Sequence, residues 1–299
     1  MNSSKIRIVP PYPITHRFRV KEVNDKKTIL ELMAMRFPFK TEKEWERKIR
    51  DGMVGVNNAG VLPSHIIYKG DEIFHHNPEV IEPSVPDGVS IIEETDDYMV
   101  VFKPAPMPMH PGGRYNKNSL SWILEERGYN ELKIVHRLDA VTSGLVLFAK
   151  TKEFAQKATF CFGNARVKKT YFALVQGCPE EDEITIEMPI RRKEGFVFES
   201  EHGLEQAKHA ITQFKVLKRG NESSIIQCNP ITGRTHQIRL HLKKWGFPVI
   251  DDPVYGSFGD VSSERMQNIG ISLLNAGLSI EELGIDYKLD IPEEWQSAS

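Results

Sequence analysis

Hydrophobic and polar positions change period several times along the chain, and each change predicts an element. Thr28-Ile29-Leu30-Glu31-Leu32-Met33-Ala34-Met35 carries apolar residues at helical spacing. A second helix is predicted from Thr41, where Glu44 three residues on completes a capping box. Trp45 and Ile49 mark its apolar face, Lys43, Arg47, Lys48 and Arg50 share the helix, and Gly52 ends it. Short strands follow at Met53–Val56 and Lys69–Phe74 around an Asn57-Asn58-Ala59-Gly60 turn, giving a helix–helix–hairpin unit. Residues 77–97 read as a linker, because Pro78, Pro83 and Pro86 punctuate a stretch with seven acids and no base from Glu79 to Asp97. A boundary near residue 85 is expected, with domains at 1–80 and 81–299. Beyond it come β-rich runs at Val89–Glu93 and Tyr98–Lys103, a proline-dense loop over Lys103–Pro111, and a buried strand at Leu145-Val146-Leu147-Phe148-Ala149. Further strands are predicted near 170–176, 184–190, 208–217 and 224–229, and helices near 119–127, 151–161 and 235–245. Strand runs that are not each followed by a helix indicate an α+β fold rather than a doubly wound one. The tail after Tyr255 leaves open whether Leu273, Leu274, Leu278 and Leu283 dock as helices or fray.

Composition narrows the class without naming a function. With 40% hydrophobic and 27% charged residues the 299-residue chain has the usage of a globular protein. No window approaches a membrane-spanning run, and Met1–Arg7 lacks the apolar core of a secretory signal, so a cytoplasmic location is expected. Cys161, Cys178 and Cys228 fit neither a disulfide framework nor paired zinc ligands and read as reduced thiols; no metal is expected. The net charge of −2 conceals segregation: residues 1–50 carry 13 Lys/Arg against 6 Asp/Glu, and residues 260–299 carry 2 against 8. Residues 133–170 hold 8 basic and 2 acidic side chains, and 228–250 hold Arg234, Arg239, Lys243 and Lys244 with no acid. Local basic surface of this kind steers polyanions whatever the overall charge.

One carboxylate stands out inside that basic background. His136-Arg137-Leu138-Asp139-Ala140-Val141-Thr142-Ser143-Gly144-Leu145 sets Asp139 beside Arg137, with Thr142-Ser143-Gly144 reading as a turn into the buried strand. A lone aspartate in a turn is more often a cap or a surface residue than a catalyst. Three further segments change that reading. They are Lys169-Thr170-Tyr171-Phe172-Ala173-Leu174-Val175, Thr232-Gly233-Arg234-Thr235-His236-Gln237-Ile238-Arg239-Leu240-His241, and Asp252-Pro253-Val254-Tyr255-Gly256. In this order the four resemble the motifs of the RluA-type family of RNA pseudouridine synthases. The Ile49–Asn58 and Lys69–Ile73 stretches resemble the small S4-type RNA-binding module.

The resemblance implies a small α/β S4-like N-terminal domain followed by a large mixed, mainly antiparallel sheet flanked by helices, the pseudouridine synthase fold. It implies isomerisation of uridine in structured RNA without a cofactor. That reaction needs one ionised carboxylate in a closed pocket, and Asp139 is the candidate, as nucleophile or as base. A carboxylate removed from water drifts toward protonation unless a cation pairs with it, and Arg234 is the candidate partner. By resemblance, Tyr171 stacks on the flipped base, and Arg137 fills the gap the base leaves, a task that suits a planar guanidinium. Ile238 and Leu240 are expected to wall the uracil pocket. Lys169, Arg114 and, in the N-terminal module, Arg47, Lys48 and Arg50 are expected to contact RNA. Glutamates 42, 44 and 46 dilute that last positive face, and the plain reading of such a helix is a solvated surface. His136 and His236 are expected to be structural hydrogen-bonders.

The substrate cues diverge. Met107–Leu120 resembles a loop of the eukaryotic-like branch, which includes enzymes acting on tRNA, whereas S4-bearing members are common among those modifying ribosomal RNA. The closing motif departs from many bacterial members at Phe247 and Asp251. A monomer is expected, since the chain carries its own RNA-binding unit. The alternative is a catalytically silent RNA-binding or ribosome-assembly factor on the same scaffold. A glycosidase-like hydrolase would need a second acid that no spacing here supplies.

Overall fold

The computed structural model describes residues 5–256 and 269–298. These form two compact units, Val9–Glu82 and the described parts of Met1–Ile8 with Pro83–Ser299. Among the described residues no helix is long and apolar enough to cross a membrane.

In the Val9–Glu82 unit, helices Ile29–Arg36 and Glu42–Arg50 each begin at a threonine whose hydroxyl accepts the N–H three residues on, while a glutamate returns to the threonine N–H. Trp45 and Ile49 are fully buried, as the helical spacing predicts, in a core with Ile29, Leu32, Met33, Val54 and Ile73. A four-stranded sheet lies beside them, in the order Tyr12–Arg19, Glu72–Val80, Val54–Val56, Ala59–Gly60. Here the linker expectation is corrected. Glu72–Val80 continues as a strand through Pro78, because pairing with Tyr12–Arg19 supplies partners that a local reading cannot see.

Among the described residues the larger unit is built on a ten-stranded sheet. Its main path runs Glu183–Glu187, Ile211–Arg219, Ser223–Pro230, Lys168–Gln176, Leu273–Ile280, Ser143–Ala149, Tyr98–Lys103 and Ser90–Glu94. All neighbours are antiparallel except one pair: Ser143–Ala149 runs parallel to Leu273–Ile280, in register at Ser143 with Leu274 and Gly144 with Asn275. Leu273–Ile280 lies in the tail for which the sequence allows either docked helices or fraying. It is a central strand, buried along almost its whole length because both faces of the sheet are covered there.

Alternation along Ser143–Ala149 shows how that burial works. Val146 and Phe148 enter a core on one face with Met99, Val101 and the helix Leu120–Glu126. Leu145, Leu147 and Ala149 enter a core on the other face with Val100 and the helix Lys152–Gly163. A third core, under Ile238 and Leu242 of the helix Gln237–Trp245, takes Ala173 and Val175 from the next antiparallel group. A period of two sends neighbouring side chains to opposite faces, so the strand fastens two layers at once. Each side chain such as Phe148 contributes about 1.5–3 kcal/mol by leaving water.

The parallel seam demands close backbone approach. Gly144 has φ +124°, and a Cβ there would lie 2.3 Å from the carbonyl oxygen of Asn275. Only glycine fits, for lack of space as well as for its dihedral angle.

Candidate active site

The four motifs come together at that seam. The loop before Ser143 is tied at three points. Thr142 N–H donates to Asp139 O at 3.1 Å, Met107 N–H to Ala140 O at 2.8 Å, and Ile271 N–H to Val141 O at 2.9 Å. The turn thus spans residues 139–142, slightly earlier than the sequence suggested, and the strand begins at Ser143. Leu138 inserts into the first core and Val141 into the third, which anchors the loop on both sides of Asp139. Below it, the fully buried Lys103 donates to the carbonyls of Pro104, Met107 and Ala140 at 3.1, 2.8 and 3.3 Å. Burial pushes that ammonium down to about 7, against the opposing pull of Asp139.

Asp139 lines a cavity of about 470 Å³ together with Arg137, Lys169, Tyr171, Arg234, His236, Ile238, Arg239 and Leu273 among others. That is within the roughly 300–1,000 Å³ of ordinary ligand sites. Its salt-bridge partner is Arg239, not Arg234. Arg239 Nη1 lies 3.4 Å from Asp139 Oδ2, and the guanidinium is 3% exposed. Its remaining edge grips Asp252, with Nε 2.6 Å from Oδ2 and Nη2 2.8 Å from Oδ1. Burial alone would lower the pKa of Arg239, but Asp252 and Asp139 outweigh it and the net shift is upward. Asp252 likewise ends below its ordinary value: burial raises it, and Arg239 with the Val254 and Tyr255 N–H groups more than reverse that.

Arg234 is exposed at the rim, its Nε donating to His209 O at 3.0 Å. The reason is helical geometry. Gln237–Trp245 turns Arg239 inward, while Arg234 precedes the helix in the Thr232–His236 loop, which Gln237 fixes by accepting from Thr232 Oγ1 and Arg234 N. The same geometry removes Leu240 from the pocket. It is buried with Ile190, Ala210 and Tyr255, and Ile238 alone of the predicted pair lines the cavity.

Tyr171 begins the inner stretch of its strand just after a register shift and packs against two cores. Burial first, then the charge of Asp139, raise its hydroxyl well above the usual phenol value, so it stays protonated. Arg137 is exposed, and among the described residues it makes no hydrogen bond or ion pair. Lys169 is half-buried in the cavity wall, equally without such a partner, and burial lowers its pKa. Arg114 is exposed on the Gly112–Tyr115 bridge, away from the cavity lining. In the N-terminal unit, Arg50 pairs with Glu46 at 2.7 Å, Lys48 turns its Nζ toward Met53 Sδ, and Arg47 is exposed.

His136 is the hydrogen-bonder expected of it. Its Nε2 accepts Leu147 N–H at 2.9 Å, its ring stacks on Phe162, and burial holds it neutral by lowering its pKa to about 3. Arg239, Asp252 and Tyr255 are the positions of this array that sequence reasoning left without a role. The signal available for the last two was the closing motif itself, which supplies an acid and a phenol with no stated task.

A carboxylate, a buried arginine and a protonated tyrosine line one cavity at the seam of a mainly antiparallel sheet, and the chain has relatives of similar sequence. Residues 97–244 match the family described as RNA pseudouridylate synthase. The chain is 33% identical over 258 residues to the mitochondrial tRNA pseudouridine(32) synthase of Saccharomyces cerevisiae, covering 84% of this chain and 55% of that protein. It is 34% identical over 237 residues to the uncharacterized RNA pseudouridine synthase YlyB of Bacillus subtilis, covering 74% of this chain and 78% of that one. Among solved structures it resembles human RNA pseudouridylate synthase domain containing 1, with a TM-score of 0.58 and 29% identity over 71% of this chain and 86% of that one. The chain belongs to the RNA pseudouridine synthase family. It spans only about half the length of the first curated relatives it matches.

Proposed function

We propose that this protein isomerises uridine to pseudouridine in structured RNA, with Asp139 as the reacting carboxylate. The observation that carries the reading is the Asp139–Arg239–Asp252 array, which aims one partly exposed carboxylate into a nucleotide-sized cavity beside a protonated tyrosine. The N1–C1′ bond breaks, the base turns, and a C5–C1′ bond forms. The proton lost from C5 is balanced by one gained at N1, so product and substrate are isomers and no oxidant or cofactor is required. Asp139 serves either by adding to the sugar or base or by removing the C2′ proton, and both routes need it ionised. Tyr171 packs against the uracil and Ile238 walls it.

Extruding the base costs a few kcal/mol, which a side chain inserted into the stack offsets. Arg137, exposed and unpaired among the described residues, suits that role. Lys169 and Arg234 supply cations to the phosphates around the flipped nucleotide, and Arg114 to the flanking RNA. The N-terminal unit is an S4-like RNA-binding module in this reading, with Arg47 its most available cation because Glu46 occupies Arg50. The protein works as a monomer on a stem-loop of tRNA or ribosomal RNA. The silent-scaffold alternative leaves the buried Arg239–Asp252 support for Asp139 without a purpose.

The test is pseudouridine mapping on total RNA from cells lacking the protein, complemented with the wild type or with Asp139→Asn. The wild type should restore a defined set of positions and the variant none. Pseudouridine restored by Asp139→Asn would refute the assignment.

A further inference from the structure

Both contacts to Asp139 fall on one oxygen. Oδ2 faces Arg239 Nη1 at 3.4 Å and His236 Nε2 at 3.8 Å, and among the described residues nothing bonds Oδ1. His236 is held from behind. It precedes the helix Gln237–Trp245 with φ +56°, its ring meets Phe198 and Tyr255 edge-on, and its Nδ1 lies 2.8 Å from Tyr255 Oη. Tyr255 is 3% exposed, and its oxygen already accepts Phe198 N–H at 2.9 Å.

That arrangement selects a tautomer. If the Tyr255 hydroxyl donates to Nδ1, its proton is satisfied and Nε2 carries a hydrogen aimed at the carboxylate. If Nδ1 instead donated to Tyr255, a buried hydroxyl proton would be left without an acceptor among the described residues and the Nε2 lone pair would face the carboxylate oxygen. Unpaired buried donors cost about 1–3 kcal/mol, so the first arrangement wins. The charged groups around the imidazole are Asp139, Arg239, Asp252 and Arg137. Burial nevertheless dominates and takes its pKa down to about 4, so it is neutral at physiological pH.

We propose that His236 is a positioning residue for Asp139: fixed by Tyr255 as the Nε2–H tautomer, it joins Arg239 in restraining Oδ2 and leaves Oδ1 as the oxygen that meets the nucleotide. The proposal rests on Asp139 being the reacting carboxylate. One contact from Arg239 leaves the carboxylate free to turn about its Cβ–Cγ bond. A second donor reaching the same oxygen from another direction fixes the carboxylate plane. A neutral donor does this without a second full positive charge, which would weaken the carboxylate as base or nucleophile. The 3.8 Å separation is longer than a hydrogen bond, as such contacts are before a substrate closes the site.

The test uses the full chain in two parts. Wild-type protein labelled with 15N-histidine should show His236 as neutral Nε2–H throughout the range from about pH 5 to pH 8, and Tyr255→Phe should lose that tautomer. Rates on total RNA from cells lacking the protein should fall about tenfold in kcat, with apparent KM little changed, for His236→Met and for Tyr255→Phe. His236→Gln, which keeps an amide donor, should recover most of the rate. An imidazolium or an Nδ1–H ring in the wild type would overturn the proposal without needing any variant. So would equal impairment of the Met and Gln variants, or full activity of His236→Met. Activity surviving in Asp139→Asn would sink the assignment of Asp139 itself, and the tautomer result stands apart from that outcome.

Discussion

Replacing Arg239 by Met removes the one group that two carboxylates share. Asp252 is 1% exposed and would keep its charge with, among the described residues, only the Val254 and Tyr255 N–H groups to hold it, at 2.9 and 3.0 Å. Breaking a buried pair from one side costs about 3–5 kcal/mol, because the remaining charge is stranded. For a unit of this size that is a fall of about 10 °C in Tm. Adding Asp252→Asn should return most of the loss, since the amide oxygen still accepts both N–H groups and no charge is left buried. Activity should stay lost in both variants, because the Arg239 contact to Asp139 is missing from each. Urea unfolding gives the stability and pseudouridine formation gives the activity. A double variant that regains activity, or a single one that loses less than about 1 kcal/mol, would refute this account of the triad. The sign of the pH dependence follows from Asp252, whose folded pKa is depressed. Its contribution is complete above the unfolded carboxylate value of about 3.9 and disappears as the pH falls through the lower folded value. Asp252→Asn should therefore flatten the acid limb of the stability curve.

Three further outcomes follow from the same geometry. Gly144→Ala forces a methyl to 2.3 Å from the Asn275 carbonyl at φ +124° and should cost about 3 kcal/mol or more in urea unfolding; a loss within error would mean the parallel seam can open. Arg234→Ala should leave stability and kcat nearly unchanged while reducing the salt dependence of RNA binding by about one phosphate contact; a collapse of kcat would return the salt-bridge role to that residue. Lys103→Met strips the donor from three carbonyls beneath the Asp139 loop and should destabilise the protein by about 3 kcal/mol, which calorimetry would read as a lower Tm.

The sequence was most legible where local physics decides. The Thr41–Glu44 capping box and the Trp45/Ile49 spacing forecast a helix that exists with those caps and that buried face. The run Leu145–Ala149 forecast a strand, and its alternation between two cores is what that run encodes. Where partners are distant, the same reasoning failed. Tyr12–Arg19 and the extension of Glu72–Val80 through Pro78 exist because each pairs with the other across more than fifty residues of chain. Leu274–Ile280 alternates apolar residues with Asn275, Gly277 and Ser279, a strand period that the sequence reading passed over, and only pairing with two distant strands puts it at the centre of the sheet.

The site divides along the same line. Asp139, Tyr171 and the segment holding both arginines could be picked out in the linear chain because they fall in motifs that resemble the family's and keep its order. Which arginine reaches Asp139 could not be read there. Arg234 and Arg239 stand five residues apart in the same motif, and the start of the helix at Gln237 turns one inward and leaves the other at the rim. Asp252 and Tyr255 gained their tasks only when the closing loop folded back on Arg239 and His236. The sequence by itself determined the helix caps and the buried strand, each set by residues within a few positions of one another, and its ordered motifs marked the candidate reacting groups. The tertiary structure decided the central strand, the cation and the oriented carboxylate, because burial and contact between distant segments are properties of the folded chain alone.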